Sequence, residues 1–342
     1  HVHYFRNLIE DLSKKGFQFV ITARDKEIAQ YLLNQYKLEY ISRGEGGIGI
    51  LGKLFYMLRA DVQLLNIAQD EKPDLFLSFG SPYAAQVSLL VGKPHIALDD
   101  TENATLGQFF YRPFTNCILS PSCFKSDFGK KHFKFPSYME LSYLHPNVYS
   151  PDKSVLNFLG VEEHEMYTIL RFVGWGATHD VGHEGITVEN KIKAVNEFKK
   201  YGKVFVSSED ELPSELLDYK YKLPPEKMHD ALAFASLFYG ESATMASESA
   251  VLGTPAIYLD NEGRGYTNEL EKKYGLVFNY SESKKDQAHS IEKGVKILKK
   301  NDKQKWFDKK NAILRDKIDL TAFLKKFVTN YPHSIDEFYT YC

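Results

Sequence analysis

Hydrophobic positions along the chain switch repeatedly between the spacing of a helix and the short continuous runs of buried strands. Tyr4, Leu8, Ile9 and Leu12 recur at helical spacing, which predicts an amphipathic helix over Tyr4–Lys15. After Gly16 the run FQFVITA reads as a strand, then a helix from Lys26 to Gln35, a short strand LEYI, and a helix from about Leu51 to Ala68. DLFLSF, PHIAL and NCILS follow as apolar strands, the first ending at Gly80-Ser81-Pro82 and the second at Asp99-Asp100. Short apolar runs alternating with helices predict a parallel sheet covered on both faces. The stretch Tyr143–His164 contains Pro146 and Pro151 and little periodicity, so it reads as a connection.

A second alternating series then begins. YTILRFV is a strand, Val188–Tyr201 a helix, KVFVSS a strand, and Pro225–Ala235 a helix with proline in its first turn. SLFYG, the helix Ala243–Leu252 and PAIYL complete a strand–helix–strand unit. From Ser281 onward the pattern is helical and rich in lysine, as expected of a solvated face, with weak attraction to an anionic membrane surface as the alternative.

A chain of 342 residues suits two domains better than one α/β core. The expected division is 1–148, 149–325, and a C-terminal helix in 326–342 that returns to the first domain. A doubly wound domain normally opens with a strand, whereas this sequence opens with a helix, so a strand upstream of His1 is expected. The net charge of -2 leaves no excess of positive charge to attract nucleic acid. Apolar stretches such as Ala231–Tyr239 are too short for a membrane span. Cys117, Cys123 and Cys342 are odd in number and fit no zinc spacing, which points to a reducing cytoplasm, with the inner face of the membrane as a further location.

The richest segment is YGESATMASESAVLGTPAIYLD, Tyr239 to Asp260. A strand ends at Gly240, and a helix must begin among the small residues Ser242, Ala243 and Thr244. Unpaired backbone N–H groups and the helix dipole favour an anion there, and small side chains let a diphosphate approach. Glu248 lies one turn beyond Thr244 on the same face, placed to accept hydrogen bonds from the vicinal hydroxyls of a ribose. Gly253 ends the helix and Pro255 opens the next strand.

Other residues carry candidate chemistry. RFVGWGATHDVGHEG leaves the end of the strand YTILRFV, where Arg171 or His179 can reach a phosphate and Gly174, Gly176 and Gly182 make the loop adaptable. His179 and His183 have the spacing of a helical metal pair, but Gly182 argues against a helix, so no metal site is expected. His3 is a candidate general base, with helix capping as its plainer role. Asp99, Asp100 and Glu102 cluster at a strand end, where mutual repulsion raises carboxyl pKa values; they suit sugar hydroxyls or a base, or else Asp100 or Thr101 caps a helix. GIGILGK, Gly47–Lys53, resembles a P-loop only until Leu54 stands where Ser or Thr must bind magnesium, so a mobile glycine-rich loop with apolar Ile48, Ile50, Leu51 and Phe55 is expected.

The segment S-A-T-M-A-S-E-S-A-V-L-G-T-P resembles the nucleotide-binding signature of GT-B glycosyltransferases of the MurG type and of the related UDP-N-acetylglucosamine 2-epimerases. HVHYFRNLI, ALDDTENA and RFVGWGATHDVGHEG are also similar to segments of a prokaryotic family of the domain-of-unknown-function 354 type. The resemblance implies a GT-B fold, two Rossmann-like domains facing across a cleft. It implies a diphosphate on Ser242, Ala243 and Thr244, a ribose on Glu248, and nucleotide contacts from Arg171, Gly174, His179 and His229. Asp100 matches an acidic residue that is catalytic in the epimerases.

The expected activity is metal-independent transfer of a sugar from a UDP-sugar to a hydroxyl of a glycan or lipid-linked acceptor, the nucleotide-sugar being substrate and no cofactor being required. An apolar patch in the first domain of MurG-like enzymes meets a membrane-bound acceptor, which extends the expectation to peripheral membrane contact. The alternatives are a 2-epimerase or hydrolase, and a non-catalytic nucleotide-sugar-binding protein.

Overall fold

The computed structural model describes residues 1–47, 49–174 and 184–341. They form two units, His1–Tyr143 with Ile318–Cys342, and Leu144–Lys317.

In the first unit six short strands form two parallel sheets. β1 (Thr22–Ala23) pairs with β2 (Ile41–Ser42), and β3 (Phe76–Phe79), β4 (His95–Leu98), β5 (Cys117–Pro121) and β6 (His132–Phe135) lie side by side in that order. Every residue of β4 and β5 is buried, which is why both read as unbroken apolar runs. Their polar side chains are His95 and Ser120, and His95 is enclosed between the Ser78 hydroxyl at 2.8 Å and the Thr115 hydroxyl at 3.0 Å; burial pushes its pKa down to about 3, so it is neutral. The strand β6 has no counterpart among the runs picked out by hydrophobicity.

Two expectations need correction here. FQFVITA and LEYI form ladder contacts only at their ends, because β1 and β2 pair only with each other among the described residues, and Phe17 and Val20 stay exposed. The glycine-rich run is helical from Gly49, the start of the helix Gly49–Glu71, rather than a loop through Lys53. Ile48 lies outside the described residues. This helix exposes Leu51, Leu54, Phe55, Leu58 and Val62, a row at helical spacing. The helices Val2–Ser13 and Leu320–Thr329 pack together, joined by Lys325 Nζ to Asp11 Oδ2 at 2.6 Å.

The second unit holds one parallel sheet of five strands: β7 (Tyr167–Phe172), β8 (Lys203–Ser208), β9 (Leu237–Gly240), β10 (Ala256–Leu259) and β11 (Val277–Tyr280). Their spatial order is β8-β7-β9-β10-β11. The direction of winding therefore reverses between β7 and β9, and doubly wound sheets bind ligands beyond the carboxyl ends of such a pair. β11 was not separable by sequence from the helical region after it. The supposed connection Tyr143–His164 is more structured than its composition suggests: it contains the helix Val155–Leu159, and Asp230 accepts hydrogen bonds from the Tyr149 hydroxyl (2.6 Å) and the Asp152 N–H (3.0 Å).

Candidate functional site

At the reversal point of the second unit, Arg171 on β7 lies directly beside Gly240 on β9. A Cβ at position 240 would fall 2.1 Å from the Arg171 carbonyl oxygen, so only glycine lets the strands stay in register at their ends. The Glu241 N–H then donates to that same carbonyl at 3.0 Å. The chain turns, Ser242 accepts from the Met245 N–H at 3.3 Å as N-cap, and the helix Ala243–Leu252 begins. Ala243 and Thr244 stand in its first turn, where N–H groups have no carbonyl a turn earlier to bind. Ser242 and Ala243 are half-buried and Thr244 is exposed, so the turn is not sealed beneath other side chains. Beyond it the helix is enclosed from Ala246 to Leu252, which explains its small and apolar composition on every face. Gly253, with φ 95°, closes it in the left-handed conformation.

Two residues proposed separately for nucleotide contact come together. His229, on the helix Met228–Phe234, places Nε2 3.0 Å from Glu248 Oε1, and Glu248 is 5% exposed. Arg171 is engaged by a carboxylate, Nη2 lying 2.5 Å from Glu209 Oε1, and the Gly174 N–H points at Glu209 Oε2 at 3.4 Å. His179, His183, Gly176 and Gly182 lie outside the described residues.

The sequence reading missed the groups that secure the segment leaving β7. Glu241, 3% exposed, accepts hydrogen bonds from the N–H of Val173 at 3.0 Å and of Ile186 at 2.5 Å. Glu282 accepts from the N–H groups of Glu184 (2.7 Å) and Gly185 (2.8 Å), while Gln287 Nε2 donates to the Gly185 carbonyl at 3.1 Å. Glu241 was visible as an acid between a strand-ending glycine and a capping serine. Glu282 and Gln287 carried no local signal, because their partners lie about a hundred residues away.

In the first unit, Asp99 and Asp100 follow β4 but differ in role. Asp99 accepts from the Thr101 N–H (2.9 Å), the Gln108 amide (3.2 Å) and the Tyr111 hydroxyl (2.6 Å), a structural tie between the strand end and the next helix. Among the described residues Asp100 accepts only the Thr101 hydroxyl, at 2.9 Å; burial, with Asp99 and Glu102 adding repulsion, pushes its pKa up to about 7. Neither Asp100 nor Thr101 caps the following helix, whose N-cap is Ala104. Glu102 is half-buried and accepts from the Lys125 N–H at 3.3 Å. His3 is packed between rings, its centroid 5.3 Å from that of Tyr143 and its Nδ1 3.4 Å from the Tyr36 hydroxyl, whereas His1 stacks on Phe79 at 4.4 Å, at the end of β3.

Among the described residues no three His, Cys, Asp or Glu side chains gather as a metal site, and no helix is long and apolar enough to cross a membrane.

Comparison with known proteins places this architecture. The uncharacterized protein MJ0665 of Methanocaldococcus jannaschii is 24% identical over 271 residues, covering 75% of this chain and 78% of that protein. The UDP-GlcNAc 2-epimerase of Neisseria meningitidis, solved with UDP-GlcNAc bound, superposes with a TM-score of 0.63 at 10% identity over 96% of this chain and 95% of its own. MurG of Acinetobacter baumannii superposes with a TM-score of 0.59 at 14% identity over 96% of each chain. These likenesses show that the chain has the GT-B fold of paired Rossmann-like domains. A family model described as a protein of unknown function, DUF354, matches residues 1–263, and the chain belongs to that family.

Proposed function

We propose that the protein binds a nucleoside-diphosphate sugar on its second unit and transfers the sugar to an acceptor hydroxyl. The observation that carries this reading is the open turn Ser242–Thr244 at the reversal point of the sheet, with buried Glu248 one turn along the same helix. Free N–H groups and the helix dipole suit a diphosphate, and they stabilise the charge that develops on it as the glycosidic bond breaks. The carboxylate of Glu248, oriented by His229, suits the two hydroxyls of a ribose. UDP is the favoured nucleotide because similarly folded proteins are named for UDP-linked sugars.

Asp100 is the base we assign. Attack by a hydroxyl on an anomeric carbon needs one group that takes a proton near neutrality, and a carboxyl with a pKa of about 7 is suited to it. Asp99, tied by three donors, is not free to change protonation without cost, which favours a one-base transfer. His3 is the second candidate, and Glu102 a group for sugar hydroxyls. The exposed row Leu51, Leu54, Phe55, Leu58 and Val62 fits an acceptor carrying a hydrocarbon tail. Epimerisation at C2 or hydrolysis is the second reading, supported by the cluster of three acids at the end of β4.

The test is calorimetric titration with UDP and UDP-N-acetylglucosamine, followed by incubation of the sugar nucleotide without acceptor. Saturable 1:1 binding and a donor that stays intact until an acceptor is added support transfer. Prompt appearance of a 2-epimer by NMR replaces transfer with the second reading. Absence of binding to any nucleoside diphosphate removes both.

A further inference from the structure

A second group of side chains, away from the acids after β4, gathers at the carboxyl ends of β1, β2 and β3. Arg24 follows β1 directly and Arg43 follows β2, while Tyr83 opens the helix after β3 and Tyr56 and Arg59 come from the helix Gly49–Glu71. The guanidinium groups of Arg24 and Arg59 reach one short loop. A Cβ at Gly44 would meet Arg59 Nη2 at 2.8 Å, and a Cβ at Gly46 would meet Arg24 Nη1 at 2.8 Å. Arg43 lies over the Tyr83 ring, 5.0 Å from its centroid, and Tyr56 packs edge-on to that ring at 5.7 Å.

The polar inventory of this group does not close. Among the described residues none of the three arginines forms an ion pair. Arg43 Nε and the Tyr56 hydroxyl are enclosed and have no hydrogen-bond partner, although Tyr56 is only 5% exposed. Three acids lie in the same region: Asp25 accepts from the Ser42 hydroxyl and the Gln30 amide, Glu45 is exposed, and the Asp61 Oδ1 is enclosed and unpartnered. Arg24 and Arg59 are exposed, whereas the enclosed Arg43 Nε and Tyr56 hydroxyl cost stability while they lack a partner. An acceptor that entered here would remove that cost. Guanidinium groups with a phenol beside them match the oxygens of a phosphoryl group.

We infer that Arg24, Arg43 and Arg59, with Tyr56, form a binding site in the first unit for the phosphoryl or diphosphoryl group of a second ligand. This inference does not rest on the nucleotide-sugar reading, since it uses no residue of the second unit. The phosphoryl group has two sources, a soluble phosphate ester or a lipid headgroup.

The experiment titrates the full chain with inorganic phosphate and pyrophosphate by calorimetry, with and without saturating UDP, and in parallel measures co-sedimentation with phosphatidylcholine vesicles with and without phosphatidic acid. Arg43→Gln and Arg59→Gln are each expected to weaken the responding probe about tenfold or more, with Arg59→Lys losing less. Pyrophosphate binding that persists under saturating UDP marks a soluble ligand; binding confined to phosphatidic acid vesicles marks a headgroup. The ligand-free Arg59→Gln variant should keep the parent melting temperature, because Arg59 is exposed, whereas a structural role lowers it. The inference is overturned if no probe binds, if binding survives both Gln variants, or if UDP displaces pyrophosphate one for one. Loss of UDP binding alone, with the arginine site intact, would count against the nucleotide reading and not this one.

Discussion

The two sheet edges that carry polar chemistry handle charge in opposite ways. In the second unit the acids are spent: Glu241 and Glu282 hold backbone N–H groups on both sides of the segment that leaves β7, Glu209 takes Arg171, and Glu248 takes His229. In the first unit polar groups are left less satisfied, with the Asp100 pKa raised by burial and, among the described residues, the Arg43 Nε and Tyr56 hydroxyl enclosed without a partner. The first pattern builds a rigid frame around a helix terminus that needs only an incoming anion. The second leaves groups whose protonation or pairing must change when something binds. In the proposed function the satisfied edge holds the donor, whereas the first unit supplies the base.

The sharpest break of this contrast is Gly240→Ala. Its Cβ would overlap the Arg171 carbonyl, and overpacking at a strand junction is expected to cost about 3 kcal/mol. Denaturant unfolding measures it, and an unchanged midpoint would remove the close approach as a reason for glycine. Next is Glu241→Ala, which strips the acceptor from Val173 and Ile186. A loss of about 2–3 kcal/mol is expected, with faster amide exchange at those two positions and little change at Glu184 and Gly185, which Glu282 holds. Uniform exchange across all four would mean the frame is not divided between the two acids.

Glu248→Gln tests ligand contact more cleanly than Glu248→Ala, because Ala also strips His229 of a partner. Gln keeps an acceptor but not the charge, and a weakening of UDP binding by about tenfold is expected with the melting temperature nearly preserved. Equal affinity would detach Glu248 from the ribose.

The remaining test concerns the first unit. Asp100 has a raised pKa in the folded state, so the fold binds its proton more tightly than the unfolded chain does. Its contribution is fully present below about pH 4 and is lost as pH rises toward about 7. Asp100→Asn should therefore flatten the decline in stability between those limits. Turnover of the parent should rise through pH 7 as the base deprotonates, and in the Asn variant it should be lost with donor affinity retained. His3→Ala serves as the control: a comparable loss of turnover with intact donor affinity would transfer the role of base to His3.

Much of this was readable locally. The helix Ala243–Leu252, its serine cap and its terminal glycine follow from short-range backbone chemistry, so the helix start and both cap residues were expected at the positions where they occur. β3, β4 and β5 were legible because buried parallel strands are continuous apolar runs. β1 and β2 were overextended, since an apolar run records burial preference and not whether a hydrogen-bonding partner lies alongside. The run Gly49–Lys53 was taken for a loop on the strength of its glycines, yet the helix beyond supplies enough continuity to absorb them.

The sequence by itself determined the alternation of strands and helices, the helix start at Ser242 and the residue types able to meet a phosphate or move a proton, because these depend on near neighbours along the chain. Only the tertiary structure decided that His229 meets Glu248, that Glu241 and Glu282 accept from backbone N–H groups, that Asp99 has three donors and Asp100 fewer, and that Arg24 and Arg59 reach one loop. Each of those outcomes depends on burial and on partners brought together by the fold, which local sequence does not specify.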